Sequence, residues 1–256
     1  RSWAASDVYK RQTLKSADEA WVTVFGYDGG SGRVSLKIST SGAYKRLLEA
    51  ILQERQGYNP RIYIKAWNVR NGKLYVNGEL QVAIPLDFYY RHMVRYKRNN
   101  GRLFGGADVN VDRINLAIVD ENGALRDVKA FWFREVTARG YPRRRAWSNI
   151  GMRIHEMLNY AYHHGVKTLF LEDPEVLGRL KLMWIKNGKR FHENYNWRVV
   201  TFRSSVIEAI AMKAPLYSIE VRYVNPKGTT SSEEHDEIMR RHGLDRHTAS
   251  AYIIAL

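Results

Sequence analysis

The feature that most constrains this chain is the succession that follows Gly105-Gly106. Short apolar runs at Ala107–Val111, Asn115–Val119 and Val128–Val136 stand only a few residues apart, with Asp120-Glu-Asn-Gly123 as a turn before the third. Spacing this tight leaves antiparallel neighbours, because a parallel return needs a long crossover. A helix is predicted next, from about Arg144 to His164. There Trp147, Ile150, Ile154, Met157 and Ala161 recur at helical spacing, and Gly165 supplies a C-terminal stop. Val166-Lys-Thr-Leu-Phe-Leu171 is then a nearly continuous apolar run, as expected of a buried strand reached through a helical crossover and lying parallel to its neighbour. A helix at about Val206–Ala214, a strand at Ser218–Val224 and a last helix after Leu244 complete the pattern. The expected result is an α/β mixed sheet flanked by helices.

Upstream, from about Thr13 to Leu86, the period is two. Trp21–Phe25, Val34–Ile38, Arg61–Trp67 and Leu80–Ile84 read as strands, with turn chemistry at Asp28-Gly-Gly-Ser-Gly32, Asn71-Gly72 and Asn77-Gly78. One helix interrupts, Ala43–Gln53, with Leu47, Leu48, Ile51 and Leu52 on one face. Residues 13–90 are expected to form a small β-rich, barrel-like domain, and nucleic-acid binding is assigned to it as an expectation. Residues 91–102 are expected to be a basic linker, either solvated or strapped along a phosphate backbone, and residues 103–256 a second domain. Residues 1–12 have neither period and resemble a translated adapter, so they are set aside as a non-native leader. The apolar run Ala249–Leu256 stops without a C-terminal signal, and the chain reads as a fragment of a longer protein.

Composition narrows the partners. In 256 residues, 41 Lys+Arg against 26 Asp+Glu leave a formal net charge of +15, which favours a polyanion and above all nucleic acid. Cysteine is absent, which excludes disulfides and any Cys-ligated zinc or iron-sulfur centre and fits a reducing cytoplasm. There is no apolar run of about 18 residues, so no membrane partner is expected. The positive charge gathers in three runs. One holds Arg95, Lys97 and Arg98, the next Arg143, Arg144 and Arg145, and the third Lys186, Lys189 and Arg190. Such runs give sequence-independent, salt-sensitive affinity for phosphates. Tyr141, Trp184, Tyr195 and Trp197 stand in or near them and could stack on unpaired bases, whereas Trp147 lies on the apolar stripe of its helix and is assigned to the core. Arg203, ahead of an apolar helix, is a further candidate for contact with a substrate strand.

Three acids stand where an acid is not the default choice. Asp108 lies inside an apolar strand, where an unpaired carboxylate is costly. Glu172 follows directly on the apolar run, with Asp173 beside it as competitor. Asp245 opens the last helix, where capping and metal ligation are compatible roles. Asp112 and Asp120 read as turn residues. Carboxylates that converge on one point repel each other, and bound cations make such a cluster stable.

In this order of elements and acids the chain resembles the RuvC-like nucleases of the RNase H superfamily. More narrowly, it resembles the transposon-encoded OrfB/TnpB family, compact RNA-guided relatives of type V CRISPR effectors. The resemblance is carried by Gly106–Val119, Leu169–Pro174, Tyr223–Ser231 and Asp245–Ala251, and it covers Gly105–Leu256. It implies an RNase H-like (RuvC-like) fold and a metal-dependent DNA endonuclease, with DNA and a guide RNA as partners, in the cytoplasm of a prokaryotic cell at the nucleoid. It also implies that Asp108, Glu172 and Asp245 are the catalytic residues and hold two Mg²⁺ or Mn²⁺ ions. The alternatives are a guide-independent RuvC-type nuclease on branched DNA and a catalytically dead nucleic-acid-binding transposon protein. The chain departs from the family in two respects: the region before Arg91 is shorter than the family's amino-terminal region, and the zinc ribbon is missing. Members commonly carry a four-Cys zinc ribbon before the last acid, whereas Ser232–Leu244 holds Glu233, Glu234, His235, Asp236 and His242 but no Cys. No zinc is expected, and a short solvated helix is predicted there; the alternative makes His235, Asp236 and His242 substitute ligands.

Overall fold

The computed structural model describes residues 12–25, 31–40, 42–71, 73–176, 190–225 and 233–256. The chain divides into two compact units between Met93 and Val94.

In the first unit, β1 (Gln12–Ser16), β2 (Glu19–Phe25) and β3 (Ser31–Lys37) form an antiparallel meander. Helix α1 (Gly42–Gln53) follows, then a ribbon of β4 (Asn59–Arg70) and β5 (Lys73–Ala83), then α2 (Leu86–Met93). The predicted face of α1 is the buried one: Leu47, Leu48 and Ile51 share a core with Leu14, Ala17, Ala20 and Phe88. Among the described residues no ladder joins the meander to the ribbon, and the β-rich unit consists of two open sheets beside one core. Asn71 adopts a positive φ of 50° in the expected turn between β4 and β5. Asn77-Gly78, also expected to turn, runs inside β5. Gly78 faces Ile64 beside a bulge, and a Cβ there would overlap the carbonyl oxygen of Tyr63. This glycine marks a close backbone approach.

The second unit begins with the meander β6 (Leu103–Val109), β7 (Arg113–Val119) and β8 (Leu125–Trp132). Helix α3 (Arg143–His163) crosses to β9 (Val166–Glu172), and α4 (Arg190–Lys213) crosses to β10 (Glu220–Val224); α5 (Glu233–His242) and α6 (Arg246–Ala255) end the chain. The strand order is β10-β9-β6-β7-β8, with β6, β9 and β10 parallel and β7 antiparallel to both of its neighbours. This is the order and direction of an RNase H-like sheet. The buried stripe of α3 is Ile150, Ile154, Met157, Leu158 and Ala161, and Gly165 ends the crossover at φ 79°. Trp147 is half-buried and packs on Phe202 of α4 with 6.1 Å between ring centroids, as its core assignment requires. Helix α4 starts well before the predicted Val206; Phe191, Tyr195, Val199 and Phe202 already recur at helical spacing in the sequence, and Val206, Ile207 and Ile210 are buried.

The basic segment 91–102 is not a free linker. Arg91 and His92 finish α2 and face Glu54 at 3.4 and 2.8 Å. Beyond Met93 the segment is fastened to the second unit. The amide of Arg95 donates to Leu216 O at 2.7 Å, Tyr96 stacks on Tyr162 at 3.9 Å, and Asn99 Nδ2 donates to Val166 O at 2.8 Å. A Cβ at Gly101 would overlap the backbone of Gly165, so glycine there permits the close approach. Among the described residues no helix is long and apolar enough to cross a membrane.

Candidate functional site

Three buried polar side chains lie in one row across the centre of the second sheet. Ala107 pairs with Leu171 in the parallel ladder of β6 and β9, so the next residue of each strand, Asp108 and Glu172, stand side by side. On the other flank Asp108 pairs with Asn115 of β7. All three are almost fully buried, where an uncompensated carboxylate would be strongly unfavourable. Compensation comes from α4: one amine of the Arg203 guanidinium, Nη2, donates to Glu172 Oε2 at 2.8 Å and to Asp108 Oδ1 at 3.2 Å. Asn110 Nδ2 adds a bond to Asp108 Oδ2 at 2.7 Å.

The start of α6 lies against the same row because the strand beneath it is stripped of side chains. A Cβ at Gly106 would overlap the carbonyl oxygen of Ala251 and the amide of Ala255. With Ala249, Ala251 and Ala255 on the facing side, the helix rests directly on the backbone of β6 and β7. This brings His247 Nδ1 to 3.3 Å from Asp108 Oδ2. It also brings Thr248 under Asn115, whose Nδ2 donates to Thr248 Oγ1 at 3.0 Å. The Thr248 hydroxyl in turn donates to Asp245 Oδ2 at 2.6 Å. Asp245 is therefore tied to the row through Thr248 and Asn115.

Asp245 is also the N-cap of α6, accepting the amides of His247 and Thr248 at 3.0 and 3.3 Å. Burial acts to raise its pKa, but the Thr248 hydroxyl and these helix N–H groups outweigh burial and hold the carboxyl below its ordinary value of 3.8. The structure thus brings Asp108 and Glu172 together. Arg203 is the third charged group between them, while Asp245 faces its own helix terminus. Among the described residues no three His, Asp or Glu side chains are grouped closely enough to hold a metal ion.

The donor set nevertheless suits a hard divalent cation. It consists of carboxylate oxygens, a cationic guanidinium already stands between two of them, and the buried Oδ1 of Asn115 has no hydrogen-bond partner. Oxygen donors of this kind are what Mg²⁺ or Mn²⁺ prefers.

The other predicted residues have various surroundings. Arg95, Lys97 and Arg98 are exposed on the fastened segment, and Arg143, Arg144 and Arg145 are exposed in the first turn of α3. Three cations at a helix N-terminus oppose the macrodipole, so helix stability does not account for them. Lys186 and Lys189 lie outside the described residues, as do the side chains of Arg190, Tyr195 and Trp197, and Trp184 entirely. Tyr141 accepts a bond from Asn149 Nδ2 at 2.8 Å. Arg203, expected to contact a substrate strand, is engaged by the two acids instead. Asp120 closes its turn by accepting the amides of Asn122 and Ala124, as expected. The predicted solvated helix at Ser232–Leu244 is α5, yet it is not wholly solvated. His235 is buried, with Nε2 at 3.0 Å from Arg246 O, a contact that anchors α5 on α6. Asn115, His247 and Thr248 were not predicted; the one signal available was a lone Asn in the apolar run Ile114-Asn-Leu-Ala-Ile-Val119.

No protein-family model matches the chain. Two uncharacterized proteins of Aeropyrum pernix are each 60% identical to it over 244 residues, covering 95% of this chain and 66% and 58% of their own length. An uncharacterized protein of Saccharolobus solfataricus is 29% identical over 212 residues, covering 83% of this chain and 53% of its own. The chain thus spans less than two thirds of the curated relatives it matches. Among solved structures, T. thermophilus RuvC in complex with a Holliday junction substrate aligns with a TM-score of 0.40 and 14% identity, over 60% of this chain and 90% of that one. A Cas12f1–sgRNA–target DNA complex aligns with a TM-score of 0.48 and 11% identity, over 100% of this chain and 63% of that one.

Proposed function

We propose that the chain is the greater part of a metal-dependent nuclease, a DNA endonuclease of the TnpB-like type acting with a guide RNA. The observation that carries this reading is the pair of buried carboxylates, Asp108 and Glu172, on adjacent parallel strands of an RNase H-like sheet, with a cation held between them. A charge +15 chain with exposed arginine runs supports a polyanionic partner. The guide RNA and the transposon setting rest on the resemblance at Gly106–Val119, Leu169–Pro174, Tyr223–Ser231 and Asp245–Ala251.

Asp108, Glu172 and Asp245 would hold Mg²⁺ or Mn²⁺. When bound, a pair of such ions lowers the pKa of an attacking water and stabilises the leaving 3′ oxygen of the phosphodiester. The work of the chain's own groups is different. Asn110 and His247 both meet Oδ2 of Asp108 and orient its carboxylate. Thr248 and Asn115 hold Asp245 toward the row. Arg203 neutralises Asp108 and Glu172 while no metal does so, and its guanidinium is then a cation within reach of a phosphate oxygen.

The test is Mg²⁺-dependent cleavage of single-stranded, duplex and four-way-junction DNA, with and without co-purified RNA, by wild type and by Asp108→Asn and Glu172→Gln. Cleavage that needs RNA and both acids supports the reading. Junction cleavage by RNA-free protein would make it a guide-independent resolvase, and nucleic-acid binding with no cleavage under any condition would make it a binding protein with a silent site.

A further inference from the structure

Away from the acids, the last turn of α4 gathers positive charge around one buried ring. Tyr217 is fully buried just after α4, in a short 3-10 turn, Ala214–Tyr217. Its hydroxyl lies 2.9 Å from Nδ1 of His155 on α3, and Nε2 of the same imidazole lies 3.3 Å from Lys213 Nζ. An ammonium can only donate, so Nε2 accepts, Nδ1 carries the ring hydrogen, and His155 is the neutral link between Lys213 and Tyr217. The guanidinium of Arg95 lies over the Tyr217 ring, 5.3 Å from its centroid, and the Arg95 amide is bonded to Leu216 O at 2.7 Å.

This arrangement leaves charge unbalanced. Lys213 uses one N–H on His155, and neither Lys213 nor Arg95 meets a carboxylate among the described residues. The C-terminus of α4 offsets about half an elementary charge of Lys213 and nothing more. Burial and the neighbouring Arg95 both press the Lys213 pKa downward, and no acid opposes them. Half-buried Lys213 and exposed Arg95, the latter on a segment fastened by backbone bonds, repel each other in the free protein. A bound anion would relieve that repulsion. Lys97 and Arg98 continue the same fastened segment with exposed positive side chains, so the anion has a charged track leading from it.

We propose that Lys213 and Arg95, braced by His155 and Tyr217, form a binding site for a backbone phosphate of a nucleic-acid strand. The chemistry suits a single phosphate: Lys213 is a point charge with spare N–H groups, and Arg95 is a planar fork spread over an aromatic ring. The proposal rests on the nucleic-acid partner of the reading above and adds where a strand is held.

The experiment measures binding of short fluorescent single-stranded RNA, single-stranded DNA and duplex DNA over a range of salt in EDTA, for wild type, Arg95→Gln, Lys213→Gln and Lys213→Arg. One lost phosphate contact lowers the slope of log affinity against log salt by about 0.7 for a single strand or about 0.9 for a duplex. Both glutamine variants are expected to show that drop with at least one probe, which identifies the strand held, and Lys213→Arg to keep the wild-type slope. Arg95→Gln guards against a folding loss, since its side chain only covers the ring. Equal slopes in wild type and both glutamine variants with all three probes overturn the site and leave the nuclease reading intact. A chain that binds as expected but never cleaves overturns the nuclease reading and leaves this site standing. Wild type that binds no probe overturns both.

Discussion

Arg203 donates from one nitrogen to both Glu172 and Asp108, at 2.8 and 3.2 Å, with its side chain only 13% exposed. Two buried carboxylates side by side are stable here because a guanidinium from another element stands between them. Removing the partner of a buried charge costs about 3 kcal/mol or more. Arg203→Ala is accordingly expected to lower stability by about that much in EDTA. Mn²⁺ at about 100 times its Kd returns about 2.7 kcal/mol to a protein with an open site. Thermal melting with and without Mn²⁺ checks this: the variant should gain more from the metal than wild type, in which Arg203 competes, and equal gains would sink the idea.

Gly106 is where α6 touches the sheet. Gly106→Ala forces a Cβ into the backbone of Ala251 and Ala255, and overpacking without room to relax costs about 3 kcal/mol. Gly151, inside α3 with nothing within 4 Å of an added Cβ, is the control. Gly151→Ala is expected to stabilise by about 0.5–1 kcal/mol through helix propensity. Urea unfolding of the two variants should move in opposite directions.

Asp245 has two roles that substitution can separate. Asparagine caps a helix about as well as aspartate, while alanine costs about 1 kcal/mol. Asp245→Asn should therefore melt close to wild type and Asp245→Ala below it, yet both should lose Mg²⁺-dependent cleavage. Full cleavage by Asp245→Asn would reduce the residue to a cap.

His155 provides a pH dependence away from the acids. Burial first, then the charges of Lys213 and Arg95, push its pKa from 6.5 to about 4. The folded protein binds the proton less well than the unfolded chain does. The stability it contributes is thus complete above pH 6.5 and is lost as the pH falls from 6.5 toward 4. His155→Gln should melt with a shallower dependence in that window, and parallel curves would show that His155 does not carry it.

Much of the second unit was legible because its chemistry is local. Asp108 stands out in an apolar strand, Glu172 follows an unbroken apolar run, and Gly165 ends a helix of clear period. Asn77-Gly78 misled for the same reason: the dipeptide has turn chemistry, but its partner strand held it in a ladder. The start of α4 was missed although Phe191, Tyr195, Val199 and Phe202 recur at helical spacing ahead of Val206.

The sequence by itself determined the kinds of element in the second unit and their order, and marked Asp108 and Glu172 as candidates, since periodicity, glycine stops and strand-end carboxylates are properties of neighbouring residues. Only the tertiary structure decided that Arg203 compensates those acids, that Asn115 and Thr248 tie in Asp245, that the basic segment from Val94 onward is fastened rather than free, and that Arg95 covers the ring of Tyr217. Each of these joins residues far apart along the chain. Their pairing depends on which backbones can approach closely, as at Gly106 with Ala251 and at Gly101 with Gly165, and on the penalty of leaving a buried charge without a partner.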